Sequence, residues 1–109
     1  MQDVETFLEE LQSATDAYFP DASIQFILKT SKSLKVNVLL KKGAFIAARY
    51  NARNGRKDVA VIENDKRIFG YDNLKSWHHH PLHDPESHIQ CEEPSMKKVL
   101  MEIQAVLLR

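Results

Sequence analysis

The sequence predicts an α+β fold: an antiparallel sheet of about five strands in a meander, with N-terminal and C-terminal helices on one face. Apolar residues recur at helical spacing at both ends of the chain and at a two-residue period through its middle. The predicted strands follow one another through short turns, which favours antiparallel pairing, since parallel neighbours need a crossover of about a dozen residues. Two apolar helix faces and one half-buried sheet satisfy each other when both helices cover the same side. The opposite side is then left open and basic.

Each element has its own signal. Val4, Phe7, Leu8, Leu11, Ala14 and Tyr18 mark an amphipathic helix over residues 3–18, with Asp3 as N-cap and Pro20 just beyond. The period then falls to two. Ile24, Phe26 and Leu28 alternate with Gln25, Ile27 and Lys29, and Ser31-Lys32-Ser33 turns the chain. Leu34, Val36, Val38 and Leu40 against Lys35, Asn37, Leu39 and Lys41 make the clearest strand. Lys42-Gly43 predicts a tight turn before a strand over 44–51. Asn54-Gly55 predicts a type I′ hairpin turn, because both central residues of such a turn need positive φ. Residues 59–63 return, Asn64-Asp65 turns again, and residues 67–71 form a fifth strand. An irregular histidine segment follows. Met96, Val99, Leu100, Ile103 and Leu107 then mark the second helix, with Pro94 suited to its first turn.

With 109 residues, the chain has room for one modest core and is read as a single domain, 1–109. No apolar run reaches the roughly 18 residues that a membrane span requires. The acidic start Met-Gln-Asp-Val-Glu lacks a basic n-region, so no secretory signal is expected. Cys91, the one cysteine, permits no internal disulfide and fits a cytoplasmic location. Formal net charge is zero, yet residues 1–21 carry six acidic side chains and no basic one. Residues 22–57 carry nine basic ones and no acidic one: Lys29, Lys32, Lys35, Lys41, Lys42, Arg49, Arg53, Arg56 and Lys57. Such a stretch attracts phosphate backbones or an acidic partner. The plainer alternative is a set of solvated strand faces neutralised by the acidic helix.

All five histidines fall within residues 78–88. Imidazole titrates near neutral pH and is the commonest metal ligand, so chemistry concentrates here. In an extended backbone His78 and His80 project to one side and His79 to the other. His78, His80, His88 and Cys91, with Asp84 between them, offer a zinc-type donor set, although their spacing matches no standard finger. Acid–base catalysis is the second reading. Cleaving RNA needs a base for the 2′-hydroxyl proton, an acid for the leaving oxygen and cations for the phosphate charge. His78, His80, His88 and Tyr71 are the acid/base candidates. Arg49 and Arg53, four apart and thus expected on one strand face, are the phosphate-holding candidates together with Lys35. Against both readings stands a surface coil in which His79 and His83 face solvent and Trp77 is a packing anchor. There Asp72-Asn73 simply turns the chain, and Cys91 is a small buried apolar residue.

Phe69-Gly70-Tyr71-Asp72-Asn73, Trp77-His78-His79-His80-Pro81, Asp84-Pro85, His88-Ile89 and Cys91-Glu92-Glu93-Pro94-Ser95 together resemble the TumE-like toxin family. These are small proteins of bacterial and archaeal toxin–antitoxin pairs, with a tyrosine-aspartate-asparagine strand end, a histidine- and proline-rich loop and a terminal helix. The likeness is tight over residues 68–107 and architectural before that. It implies a toxin acting on RNA with a cognate antitoxin protein as partner; separately, no membrane is expected, and a homodimer is a further option. Carried over by position, the matching residues are Tyr71, Asp72, Asn73, Trp77, His78, His80, Pro81, Asp84, Pro85 and His88, of which Tyr71, His78, His80 and His88 are the reactive candidates. Asp72, Asn73, Trp77, Pro81 and Asp84 are structural or orienting. No cofactor is expected in this reading. The alternative is a non-catalytic module that binds zinc or a partner through the same loop.

Overall fold

A computed structural model describes residues 2–41 and 43–109. Lys42, in the expected turn and among the nine cations, lies outside the described residues. Helix α1 (Val4–Tyr18) is capped by Asp3, whose carboxylate accepts the Thr6 amide at 2.7 Å. Its stripe of Val4, Phe7, Leu8, Leu11 and Ala14 is buried. Helix α2 (Met96–Leu107) is capped by Ser95, which accepts the Lys98 amide at 3.1 Å. Pro94 thus lies one residue before the cap instead of in the first turn. Gln104 of α2 donates to the Tyr18 carbonyl at 2.9 Å, satisfying an orphan acceptor at the end of α1.

The sheet has seven strands in sequential antiparallel order, two more than expected: β1 (Ser23–Lys29), β2 (Ser33–Lys41), β3 (Ala44–Asn51), β4 (Arg56–Glu63), β5 (Lys66–Asp72), β6 (His78–His80) and β7 (Ile89–Gln90). The additions come from the histidine segment, which was expected to be irregular. It lacks apolar alternation, so nothing in its composition marks a strand, yet the open edge of β5 supplies the pairing.

Two turns also differ from expectation. Asn54 does not adopt a positive φ. Residues 52–55 form a four-residue loop closed by the Gly55 amide on the Asn51 carbonyl at 2.8 Å, with Gly55 at φ +76°. The two-residue turn with both φ values positive is at Asn64 (51°) and Asp65 (66°), between the paired residues Glu63 and Lys66.

Leu34, Val36 and Val38 of β2, Ile46, Ala48 and Tyr50 of β3, Val59 and Val61 of β4, and Phe69 and Tyr71 of β5 face the helices and are buried with their apolar stripes. That burial, at roughly 25 cal/mol per Å² of apolar surface, is the main driving term for docking both helices on one side. Strand β1 lies at the sheet edge, and its Phe26, Ile27 and Leu28 are exposed. Among the described residues no helix is long and apolar enough to cross a membrane.

Alternation puts the other residue set on the open face, and the pairing register aligns it across strands. Lys35, Arg49, Asp58, Asp72, His78 and Gln90 are successive partners from β2 to β7 and form one transverse row. In the next row Ala47, Ala60 and Gly70 lead to His80. This face is not uniformly basic. It is cationic over β2 and β3 and carries carboxylates at Asp58 and Asp72. Several cations of residues 22–57 lie elsewhere. Lys29 pairs with Glu5 of α1 at 2.7 Å, as the neutralising alternative anticipated. Lys57 lies over the Phe7 and Tyr50 rings and pairs with Glu93 at 3.1 Å.

Candidate functional site

Strand β6 places its three histidines on alternate faces. His79 turns to the helix side and packs on Tyr71, with ring centroids 5.6 Å apart, so it is half-buried and not solvent-facing. His78 and His80 project onto the open face, where Asp72 lies directly across from His78 on β5. The loop after β6 then folds back. Asp84 donates its amide to the Pro81 carbonyl, and Ser87 donates both its amide and its hydroxyl to Asp84. That compact loop delivers His88 over the pair. The ring centroids are 5.1 Å apart for His78–His80, 4.7 Å for His78–His88 and 4.6 Å for His80–His88. One donor atom from each ring lies within 4.8 Å of those of the others.

Hydrogen bonds fix the orientation of the inner two rings. His78 Nδ1 lies 3.0 Å from the Ser76 carbonyl and His80 Nδ1 2.9 Å from the Pro85 carbonyl. A carbonyl only accepts, so each Nδ1 carries a hydrogen and donates it. Both Nε2 atoms therefore turn toward Asp72. His80 Nε2 is 3.0 Å from Oδ2 and His78 Nε2 is 3.0 Å from Oδ1. The two contacts are not equivalent. The first is an aligned hydrogen bond, whereas the His78 Nε2 direction misses the oxygen and leaves that buried nitrogen without a hydrogen-bond partner. Burial acts to raise the Asp72 carboxyl. The His80 bond, the Leu74 amide at 3.0 Å and the charges of His78 and His80 outweigh it, holding the pKa below the ordinary carboxylate value. His78, His80 and Asp72 are buried at 7%, 4% and 6% exposure, while His88 stands in solvent. The cluster is thus rigid underneath and open at one corner.

Arg67 extends the cluster along the face. Its guanidinium holds both Asp58 oxygens at 3.1 and 3.2 Å and reaches within 4.0 Å of Asp72 Oδ2. Beyond Asp58, a hollow of about 240 Å³ is lined by Lys35, Arg49 and Arg56 with Ser33 and Asn51. Arg56 was anticipated only as one of the nine cations of residues 22–57, and Arg67 was not anticipated. Arg56 follows from the pairing of Asn51 with Arg56, which continues the outward parity of Arg49. Strict alternation from Phe69 and Tyr71 would turn Arg67 toward the helices. A bulge between Val61 and Ile62 sets Arg67 opposite Ile62 and moves it to the open face.

Other anticipated residues go elsewhere. Tyr71 is buried on the helix side and donates to Glu102 of α2 at 2.9 Å, so its hydroxyl does not join the histidines. Burial and the adjacent Glu102 carboxylate push its pKa well up. Arg53 lies in the 52–55 loop, because β3 ends at Asn51, and does not share a strand face with Arg49. Arg49 is on the open face but bonds the Val36 and Ala48 carbonyls at 2.8 and 3.0 Å. Cys91 packs against the apolar core, its pKa raised first by burial, and lies outside the histidine group. The carboxylate beside the two buried rings is Asp72, which the zinc reading had not named. Asp84 shapes its loop. Asn73 staples β5 to β4 by accepting the Lys57 amide at 2.7 Å and donating to the Gly55 carbonyl at 2.9 Å. Trp77 packs against the core, Pro81 is buried at the end of β6, and His83 is exposed.

No protein-family model, characterised protein or solved structure matches the chain. The functional reading rests on the site itself. Three imidazoles beside one carboxylate can take up and release protons or hold a cation, with guanidinium and ammonium groups along the same face to receive an anion.

Proposed function

We propose that the open face acts on RNA, with the His78/His80/His88–Asp72 cluster as the reaction centre of a small ribonuclease, the toxin half of a toxin–antitoxin pair. One observation carries the reading: the cluster and the cations Lys35, Arg49, Arg56 and Arg67 share one accessible face. Cα partners on neighbouring strands lie about 5 Å apart. From Arg49 on β3 to His78 on β6 is thus about 15 Å, a span of a few nucleotides of single strand. A strand gripped in the cationic hollow would present its next phosphodiesters to the histidines.

The chemistry required is modest. The 2′-hydroxyl must lose a proton, the leaving oxygen must gain one, and the phosphate needs a cation beside it. The cluster activates the nucleophile, through an imidazole or through a cation that the imidazoles hold. Arg67, whose guanidinium reaches within 4.0 Å of Asp72, is the candidate cation for a phosphate seated over the cluster. The hydroxyl of Tyr71 has no part in this scheme. The cognate antitoxin is the expected protein partner, covering the same face.

The test is degradation of a mixed RNA pool by the purified chain, with and without chelator. Wild type is expected to cleave, and His88→Ala to lose at least about 100-fold in rate while still binding RNA, in line with the usual worth of one acid–base or activating group. Intact RNA with wild-type protein, in the presence and absence of added divalent metals, would remove the ribonuclease reading.

A further inference from the structure

We infer that His78, His80 and His88, with Asp72 against the two buried rings, form a binding site for a single divalent transition-metal ion of the zinc class. The inference goes beyond the ribonuclease reading and does not depend on RNA being the substrate.

The tautomers supply the first argument. The Ser76 and Pro85 carbonyls hold the hydrogens of His78 and His80 on Nδ1. A ring whose Nδ1 already donates to a carbonyl can donate from Nε2 as well only when it is protonated, so the contacts of His78 and His80 with the Asp72 carboxylate call for positive charge, either on the rings or between them. Lone pairs converging in a buried space repel one another unless something positive lies between them. An imidazole that donates Nδ1–H to a backbone carbonyl and offers Nε2 is also the arrangement that metal sites use to orient their histidines and make them better donors.

The second argument is the unpartnered atom. His78 is more than nine-tenths buried, and its Nε2 has no hydrogen-bond partner although Asp72 Oδ1 is 3.0 Å away. Proximity without alignment describes two neighbours in one coordination shell better than a donor and its acceptor. In a tetrahedral shell with bonds of about 2.05 Å, adjacent ligand atoms lie about 3.3 Å apart. Protonating both buried imidazoles is the competing way to supply charge. It would place two cations with ring centroids 5.1 Å apart inside the protein against one carboxylate and would still leave the His78 bond misdirected.

The third argument is size. The centre of a triangle with 4.8 Å edges lies about 2.8 Å from each corner, so rotations of less than about 1 Å bring three nitrogens to zinc distance. Three imidazoles and one carboxylate are a nitrogen- and oxygen-rich set that favours zinc and its neighbours over magnesium or calcium. Because His88 is exposed, the site has a solvent-facing corner where a substrate oxygen could approach. Cys91 is not a ligand here, so the site is not of the thiolate-rich structural kind.

The experiment uses the untagged full-length chain, stripped with chelator and titrated with Co²⁺ alone, followed by visible absorption, with Zn²⁺ competition and metal content by X-ray fluorescence. One equivalent should saturate the chain, give the intense visible bands of four-coordinate cobalt, and be displaced by zinc. His88→Ala, at an exposed position that does not support the core, should weaken binding by at least about 100-fold with an unchanged circular dichroism spectrum. Asp72→Asn should weaken it about 10- to 100-fold. His83→Ala, an exposed histidine of the same loop, should leave it unchanged. Substoichiometric binding by wild type would overturn the site, as would wild-type affinity in H88A or an equal loss in H83A. The two readings fail separately. A chain that binds one metal but leaves RNA intact keeps the site and loses the ribonuclease; one that cleaves RNA in chelator and binds no metal does the reverse.

Discussion

Tyr71 and Asp72 are neighbours in sequence and belong to different halves of the molecule. The strand sends Tyr71 to the helices and Asp72 to the histidines, so the two side chains answer to different tests. Phenylalanine at Tyr71 removes one hydrogen bond to Glu102 and should cost about 1 kcal/mol. The folded pKa of this tyrosine lies above its ordinary 10.0, because burial and Glu102 disfavour the phenolate. Its contribution to stability is therefore full below about pH 10 and is lost as pH rises beyond it. Tyr71→Phe should flatten part of the alkaline loss seen in thermal melts across that range. Tyr50, whose pKa is raised by burial and by Asp3, accounts for a further part. Metal binding and RNA cleavage should be unaffected by Y71F. A cleavage defect at unchanged stability would return Tyr71 to the reaction.

Two elements depend on backbone geometry that side chains alone do not reveal. Gly70 of β5 stands beside Ala60 on the open face, where an added Cβ would come within 2.9 Å of the Ala60 Cβ and 3.0 Å of the Val59 carbonyl oxygen. Both are held in the middle of the sheet and cannot yield cheaply. Gly70→Ala should cost about 1–3 kcal/mol in urea denaturation and, by shifting β5 against β6, should also weaken metal binding at His80. The β4–β5 turn offers the opposite case. Asp65 sits at φ +66°, a conformation costing an L-residue about 1 kcal/mol that glycine escapes. After the greater chain entropy of glycine in the unfolded state is subtracted, Asp65→Gly should stabilise the fold by about 0.5 kcal/mol. A destabilised D65G would mean that the Asp65 side chain contributes to the turn by itself.

At the scale of the whole molecule, the helices claim one side of the sheet and leave chemistry to the other. The cations divide in the same way. Lys29 and Lys57 serve the helix side through Glu5 and Glu93, whereas Lys35 and Arg56 line the open hollow. Replacing Lys35 and Arg56 together with Ala should weaken RNA binding of all sequences alike. The salt dependence should fall by about 1.4 in log–log slope, corresponding to two phosphate contacts on a single strand. Arg53→Ala, in the loop, should change neither, and equal effects from Arg53 would mean that RNA does not follow this face. Arg49 is a poorer probe, since it also bonds two backbone carbonyls, and its loss would affect folding as well as binding.

Read alone, the sequence determined what local pattern can determine: two amphipathic helices, five alternating strands, and a sheet left open on one side. It also concentrated every histidine in one segment and set His78 and His80 on a common side, because alternation along an extended chain is a local property. Only the tertiary structure decided which residues meet them. Pairing of β6 on β5 made Asp72 their shared carboxylate, and closure of the 81–88 loop added His88. A single bulge turned Arg67 outward, the early end of β3 removed Arg53, α2 supplied Glu102 to Tyr71 on the far side, and Cys91 packed against the core. Register, bulges and loop closure depend on contacts between residues distant in sequence. Chemical capacity is therefore carried by residue type and spacing, while the composition of the site is settled only by packing.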